Sequence, residues 1–169
     1  KYFPGVRALD DANLEVRTGE VHALLGENGA GKSTLMKVLG AIYKPDEGQI
    51  FIDGNPVTMQ NIRDAKRYGI SIIHQELLLL PEMTIADNIF IGTKPNSYGF
   101  VSRKKLESEA QKLLDQLNIG LDSRALVSTL SVAQQQIVEI VKAISFNARI
   151  IVMDEPTSSL SQNEINMLF

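Results

Sequence analysis

The residues best equipped for chemistry stand at Gly26-Glu27-Asn28-Gly29-Ala30-Gly31-Lys32-Ser33. The spacing G-x-x-x-x-G-K-S matches a phosphate-binding loop, provided that a strand leads in and a helix leads out. Glycines let such a loop wrap closely, so successive backbone N–H groups and the N-terminus of the following helix face an anion. Lys32 would reach the β- and γ-phosphates of a nucleotide, and the Ser33 hydroxyl would take one position on Mg²⁺. Both flanks suit the motif: Val21-His22-Ala23-Leu24-Leu25 is apolar, and Thr34-Leu35-Met36-Lys37-Val38-Leu39 reads as a helix.

A second cluster follows Ile150-Ile151-Val152-Met153, where four apolar residues end in Asp154-Glu155. A buried strand ending in acids is the natural complement of a phosphate loop. Asp154 would hold Mg²⁺ through water. Glu155, one residue further on, is aimed elsewhere by alternation, toward the γ-phosphate and an attacking water.

These residues need an α/β scaffold, and the chain supplies its parts. Ala12–Val16 and Val21–Leu25 read as strands separated by a turn at Thr18-Gly19-Glu20. Lys44-Pro45-Asp46-Glu47-Gly48 breaks the helix after the loop. Gln49–Ile52 is a short strand ending at Asp53-Gly54, and Ile70–His74 is a buried one. His22 and His74 read as packed strand residues rather than ligands. The middle then turns helical. Thr84 caps a helix to Ile91, and Lys94–Gly99 is a polar loop. Ser102 caps a helix with Leu106, Ala110, Leu113, Leu114 and Leu117 on one face. Ser131 opens another, with Ile137, Ile140, Val141 and Ile144 at helical spacing and a capping box to Gln134. Arg149–Met153 returns to strand, and a last helix starts at Ser161 with Glu164.

The bulk properties set outer limits. The chain has 169 residues, 44% hydrophobic and 22% charged, which suits one globular domain with a core. A formal net charge of −3 gives no sign of a nucleic-acid binder. With no cysteine there is no disulfide or thiolate metal site. The apolar stretches are too short to span a bilayer, and no signal peptide is visible. The chain begins at Lys1 without methionine and stops at Phe169 inside a helix, so it reads as a C-terminally truncated piece.

Taken in order, Gly26–Ser33, Gln75, Leu130-Ser131-Val132-Ala133-Gln134 and Ile150–Glu155 resemble the ATP-binding cassette (ABC) ATPases over essentially the whole chain. More narrowly, Phe3-Pro4-Gly5-Val6, Gly26–Thr34, His74-Gln75-Glu76 and Asp154–Thr157 resemble the first nucleotide-binding domain of bacterial monosaccharide importers of the ribose, galactose and xylose type. The resemblance implies a P-loop NTPase core with an N-terminal antiparallel β part and an inserted helical subdomain. Residues 1–76 would be the β part and loop core, 77–130 the helical insertion, and 131–169 the signature helix and second acidic motif.

The resemblance also implies roles. Phe3 lies on the segment that stacks adenine, with Tyr2 as the alternative; a π-face suits a base without reading its edges. Gly26, Glu27, Asn28, Gly29, Ala30, Gly31, Lys32, Ser33 and Thr34 would bind the nucleotide. Gln75 would touch Mg²⁺ and the attacking water. Ser131 and Gln134 would face the γ-phosphate held by a second ATPase domain, tandem on the same polypeptide in that family. Val132 and Ala133 depart from the family's two glycines there, and Ser161 from its aspartate. Further implied partners are transmembrane permease subunits, received near Leu77–Phe90, and indirectly a periplasmic sugar-binding protein. The place would be the cytoplasmic face of the inner membrane. Leu77–Leu80 reads equally well as ordinary core. Two other functions stay open: a soluble cassette ATPase acting on ribosomes or DNA, and a regulatory module that binds ATP without turnover. The resemblance places a further strand and a γ-phosphate-contacting histidine beyond Phe169, so this piece is expected to hydrolyse slowly and to expose an unpaired sheet edge.

Overall fold

The computed structural model describes residues 1–74, 77–92 and 102–154. They fall into two compact units, Lys1–Ser71 and Ile72–Phe169.

The first unit begins with a hairpin that the sequence pattern does not announce. Strand β1 (Tyr2–Phe3) pairs antiparallel with β2 (Val6–Arg7), with Phe3 opposite Val6. Helix α1 (Lys32–Leu39) follows the glycine loop. It ends where the Gly40 N–H donates to Met36 O at 2.9 Å and Ala41 turns left-handed at φ 55. Strands β3 (Ile50–Ile52) and β4 (Asn55–Val57) form a second antiparallel hairpin. Asp53 and Gly54 both have positive φ, 51 and 74, which suits the right-handed twist of a two-residue hairpin loop. Helix α2 (Ile62–Arg67) is capped by Asn61, whose Oδ1 accepts from the Arg63 and Asp64 N–H groups at 2.9 and 3.2 Å.

The strands expected over Ala12–Val16 and Val21–Leu25 do not form in the described residues. An apolar run states a demand for burial, but a strand exists only where a neighbouring backbone completes its ladder. Here none does, and Val21 and Leu25 stand 84% and 88% exposed.

The second unit is built on helix α5 (Val132–Ser145). One side, with Val138 and Val141, packs with Ile85 and Ile89 of α3 (Ile85–Phe90) and Ala110 and Leu114 of α4 (Arg103–Gln116). Another side, with Ile140 and Ala143, packs on Ile73 of β5 (Ile70–Ile73) and on Ile151 and Met153 of β6 (Ile150–Met153). Strands β5 and β6 form one two-stranded sheet. Spacing of three and four residues puts both sets on their own stripes of α5, so one helix serves two small cores. The capping box expected at Ser131 is made in full: Ser131 N–H donates to Gln134 Oε1 at 2.9 Å and Gln134 N–H to Ser131 Oγ at 3.2 Å. Thr84 caps α3 as expected, with a reciprocal partner in Asp87. Ser102 stands at the N-cap of α4 without a side-chain cap bond.

Between β5 and α3 the chain is held by Asn88, which is fully buried. Its Oδ1 accepts from Leu80 N–H at 2.7 Å, and its Nδ2 donates to Leu80 O and Thr84 O, both at 3.0 Å. A buried amide with its donors and acceptor engaged holds its loop in one conformation. The neighbouring Leu78 and Leu80 are nevertheless 59% and 44% exposed. No helix among the described residues is long and apolar enough to cross a membrane.

Candidate functional site

The glycine loop turns through Gly29 and Gly31, at φ 87 and 88, with Ala30 N–H donating to Glu27 O at 3.1 Å. Gly31 is the N-cap of α1 and brings no side-chain acceptor, so the first-turn N–H groups look outward for one. An anion meets that need and the positive end of the helix dipole together. The Lys32 ammonium folds back over the loop and donates to Gly26 O at 2.6 Å and Glu27 O at 2.9 Å. Glu27, Asn28, Gly29, Ala30 and Ser33 are exposed, while Lys32 and Thr34 are half-buried. A polar, open turn with one lysine ammonium and uncapped amides can exchange water for phosphate.

Gly31 is required here for a second reason. A Cβ at this position would lie 2.5 Å from Ala8 O and 2.9 Å from Leu9 Cδ2. The chain leaving β2 therefore closes directly on the loop. Gly31→Ala is expected to destabilise the protein by about 1–3 kcal/mol from the left-handed backbone alone, with the clash adding to it. Thermal unfolding should register this as a lower Tm, and an unchanged Tm would show that the loop relaxes freely.

Upstream of the loop, Glu20 accepts from Arg17 N–H and pairs with His22 Nδ1 at 3.0 Å. The Arg17 N–H, then His22, holds the Glu20 carboxyl below its usual range. His22 is thus an exposed partner of Glu20 rather than a packed strand residue. His74 is half-buried just after β5.

At the head of the same unit, Phe3 is half-buried and meets Tyr43 edge-on, with centroids 5.2 Å apart at 72°. Its neighbour Tyr2 is 46% exposed, with the Arg7 guanidinium 5.1 Å over its ring. Tyr43 and Asp46 have no signal in the sequence pattern. They lie some forty residues from the strand they touch, and only the fold brings them there.

In the second unit, Asp154 is half-buried and its N–H donates to Ile73 O at 3.1 Å. The acidic motif and the end of β5, which leads to Gln75, are therefore neighbours. Gln75 and Glu155 themselves lie outside the described residues. Ser131 is exposed at the start of α5, and Gln134 is half-buried beside it. Glu139, which the sequence did not single out, accepts from Leu78 N–H at 3.2 Å and so ties the segment after Gln75 to the signature helix.

The first unit carries a glycine turn that opens on helix α1, although the strand expected to lead into it does not form in the described residues, and in the second unit β6 ends at Asp154; the spacing and the helix are those of the P-loop class of nucleoside-triphosphate-binding proteins. The ABC transporter family model matches residues 9–158, and the chain belongs to that family. A putative ribose/galactose/methyl galactoside import ATP-binding protein of Halalkalibacterium halodurans is 53% identical over 171 aligned residues; the match takes in 100% of this chain and 33% of that protein. The chain thus spans about a third of the length of the curated relatives it matches. Among solved structures, a nucleotide-free ATP-binding cassette from an ABC transporter is 28% identical with a TM-score of 0.84, over 99% of this chain and 70% of that one. A dimeric cassette in a post-hydrolysis state with ADP and Pi is 27% identical with a TM-score of 0.77, over 95% and 71%. The fold is that of an ABC ATPase core.

Proposed function

We propose that the protein binds and hydrolyses ATP to drive import of a monosaccharide. The observation that carries this is the Lys32 ammonium held over a glycine turn at a helix start that no side chain caps. The family and the sugar-import names of relatives support it. The loop amides and Lys32 would take the β- and γ-phosphates, with Gly26–Thr34 as the cradle and Phe3 under the adenine. Lys32 exchanges its two carbonyl partners for phosphate oxygens, so its charge is used where negative charge develops.

The implied donors are all oxygen, which suits a hard divalent ion: the Ser33 hydroxyl, exposed on the first turn of α1, the Asp154 carboxylate and the Gln75 amide oxygen. Mg²⁺ held by these groups would supply neutralisation of the triphosphate charge. Glu155 would take a proton from the attacking water, and Gln75 would help to hold that water in line.

Hydrolysis further requires a second ATPase domain, tandem on the same polypeptide, whose nucleotide faces Ser131 and Gln134 at the start of α5. The dimeric ADP–Pi cassette supports pairing of this kind. Ser131 already caps its own helix, and its exposed N-terminal end is free to meet a phosphate. The exposed Leu78 and Leu80 support a dock for a permease subunit, and the protein would then sit at the cytoplasmic face of the membrane. A periplasmic binding protein would select the sugar.

The test is Ser131→Arg in the full-length protein. Phosphate release should fall by about 10²-fold or more, while ATP binding at the mutated domain's own loop persists. The lost cap costs about 0.5–2 kcal/mol, so Ser131→Ala serves as the control for stability. Undiminished hydrolysis in Ser131→Arg would rule out the shared site.

A further inference from the structure

We propose that Tyr43 and Asp46 are positioning residues for the base platform, clamping the strand that carries Phe3 so that its ring is set for an adenine. This rests on the nucleotide reading above and adds to it two residues that touch neither phosphate nor metal.

The clamp has two jaws. Tyr43 meets the Phe3 ring at 72°, a near-perpendicular contact in which the positive edge of one ring faces the negative face of the other. Such a contact fixes the plane of Phe3. Asp46 fixes the backbone beside it. One carboxylate oxygen accepts from Tyr2 N–H at 2.6 Å, and the other accepts from Lys1 Nζ at 2.8 Å. The Lys1 ammonium, then the Tyr2 N–H, keeps the Asp46 carboxyl below its ordinary range. Lys1 in turn lies 5.5 Å from the Phe3 centroid.

The Tyr43 jaw hangs from α1. The Tyr43 N–H donates to Lys37 O at 3.1 Å, and the Lys37 ammonium stands 5.7 Å from the Tyr43 centroid. Helix α1 thus carries the phosphate cradle at its N-terminus and, just past its C-terminus, the ring that meets Phe3. The segment from Phe3 is pinned again where Ala8 and Leu9 close on Gly31. Platform and cradle are therefore referenced to one short rigid helix, about 12 Å long at the usual rise. A ring fixed before the base arrives loses little freedom on binding, and that saving appears as affinity for the base alone.

The experiment compares ATP with inorganic tripolyphosphate, which has no base, by calorimetry on the full-length protein. Phe3→Leu should weaken ATP by about 5- to 150-fold, the usual range for losing one stacked base. Tyr43→Leu and Asp46→Asn should each weaken ATP by about 3- to 10-fold, while Tyr43→Phe stays near wild type. Tripolyphosphate affinity should stay within about twofold throughout. The clamp is overturned, with the adenine role intact, if Phe3→Leu lowers the ATP-to-tripolyphosphate ratio while Tyr43→Leu and Asp46→Asn leave it alone. It is also overturned if these two variants lose both ligands equally, since they then support the whole loop. If Tyr2→Leu moves the ratio and Phe3→Leu does not, the platform is Tyr2 and the clamp on Phe3 falls. A wild-type protein that binds neither ligand would remove the nucleotide reading itself.

Discussion

Lys32→Ala is expected to abolish tight Mg-ATP binding. The triphosphate meets one fixed cation in the described part of the loop, and that cation is already poised there, donating to Gly26 O at 2.6 Å and Glu27 O at 2.9 Å. Removing one partner from a desolvated charge pair costs about 2–5 kcal/mol, which is roughly thirtyfold to several thousandfold in Kd. The substitution also takes two hydrogen bonds from the loop, so its shape as well as its charge suffers. Loop amides and the helix dipole remain and should leave weak binding. Titration with a fluorescent ATP analogue measures the loss. Affinity within threefold of wild type would mean that the lysine stays on its carbonyls and never reaches phosphate.

Glu155→Gln should behave in the opposite way. Glutamine keeps the size and the hydrogen-bonding capacity of the side chain but cannot accept a proton from water at neutral pH. Binding should persist while phosphate release falls by about 10²–10⁴, the usual worth of a general base. The position draws its meaning from β6, which ends at Met153 beside β5 and leads directly into Asp154. Single-turnover phosphate release, run alongside the same nucleotide titration, separates the two roles. If Glu155→Gln lost affinity as badly as Lys32→Ala, Glu155 would belong to the binding site and not to the chemical step.

Local signals were the legible ones. Ser131 with Gln134 and Thr84 with Asp87 are short-range reciprocal caps, decided by residues three apart, and both form. The hairpin turn at Asp53-Gly54 is likewise a property of two residues. The glycine loop was legible because its chemistry demands a fixed spacing, and helix α1 starts where that spacing requires. Val21–Leu25 misled because an apolar pattern cannot say whether a paired neighbour is present. The β1–β2 hairpin went unread because two-residue strands are too short to show a period. Asn61, with Asp64 three residues on, is a local signal for the start of α2 of the same kind. Tyr43, Asp46 and Glu139 could not be found from sequence, since each acts on backbone or ring far away along the chain. Gln75 and Glu155 rest on motif order, outside the described residues.

The amide of Asn88 has a consequence for kinetics. It fastens Leu80 at both its N–H and its carbonyl, so the exposed Leu78 and Leu80, on either side of the buried Leu79, are held in one conformation. A surface that is already in shape need not fold during an encounter, and association then runs at the ordinary rate for rigid docking, about 10⁵–10⁷ M⁻¹s⁻¹. Loosening the amide, as in Asn88→Ala, would turn the stretch into a segment that must order on contact. The charge for that ordering falls on each encounter, so a partner would meet the same leucines yet stay for a shorter time.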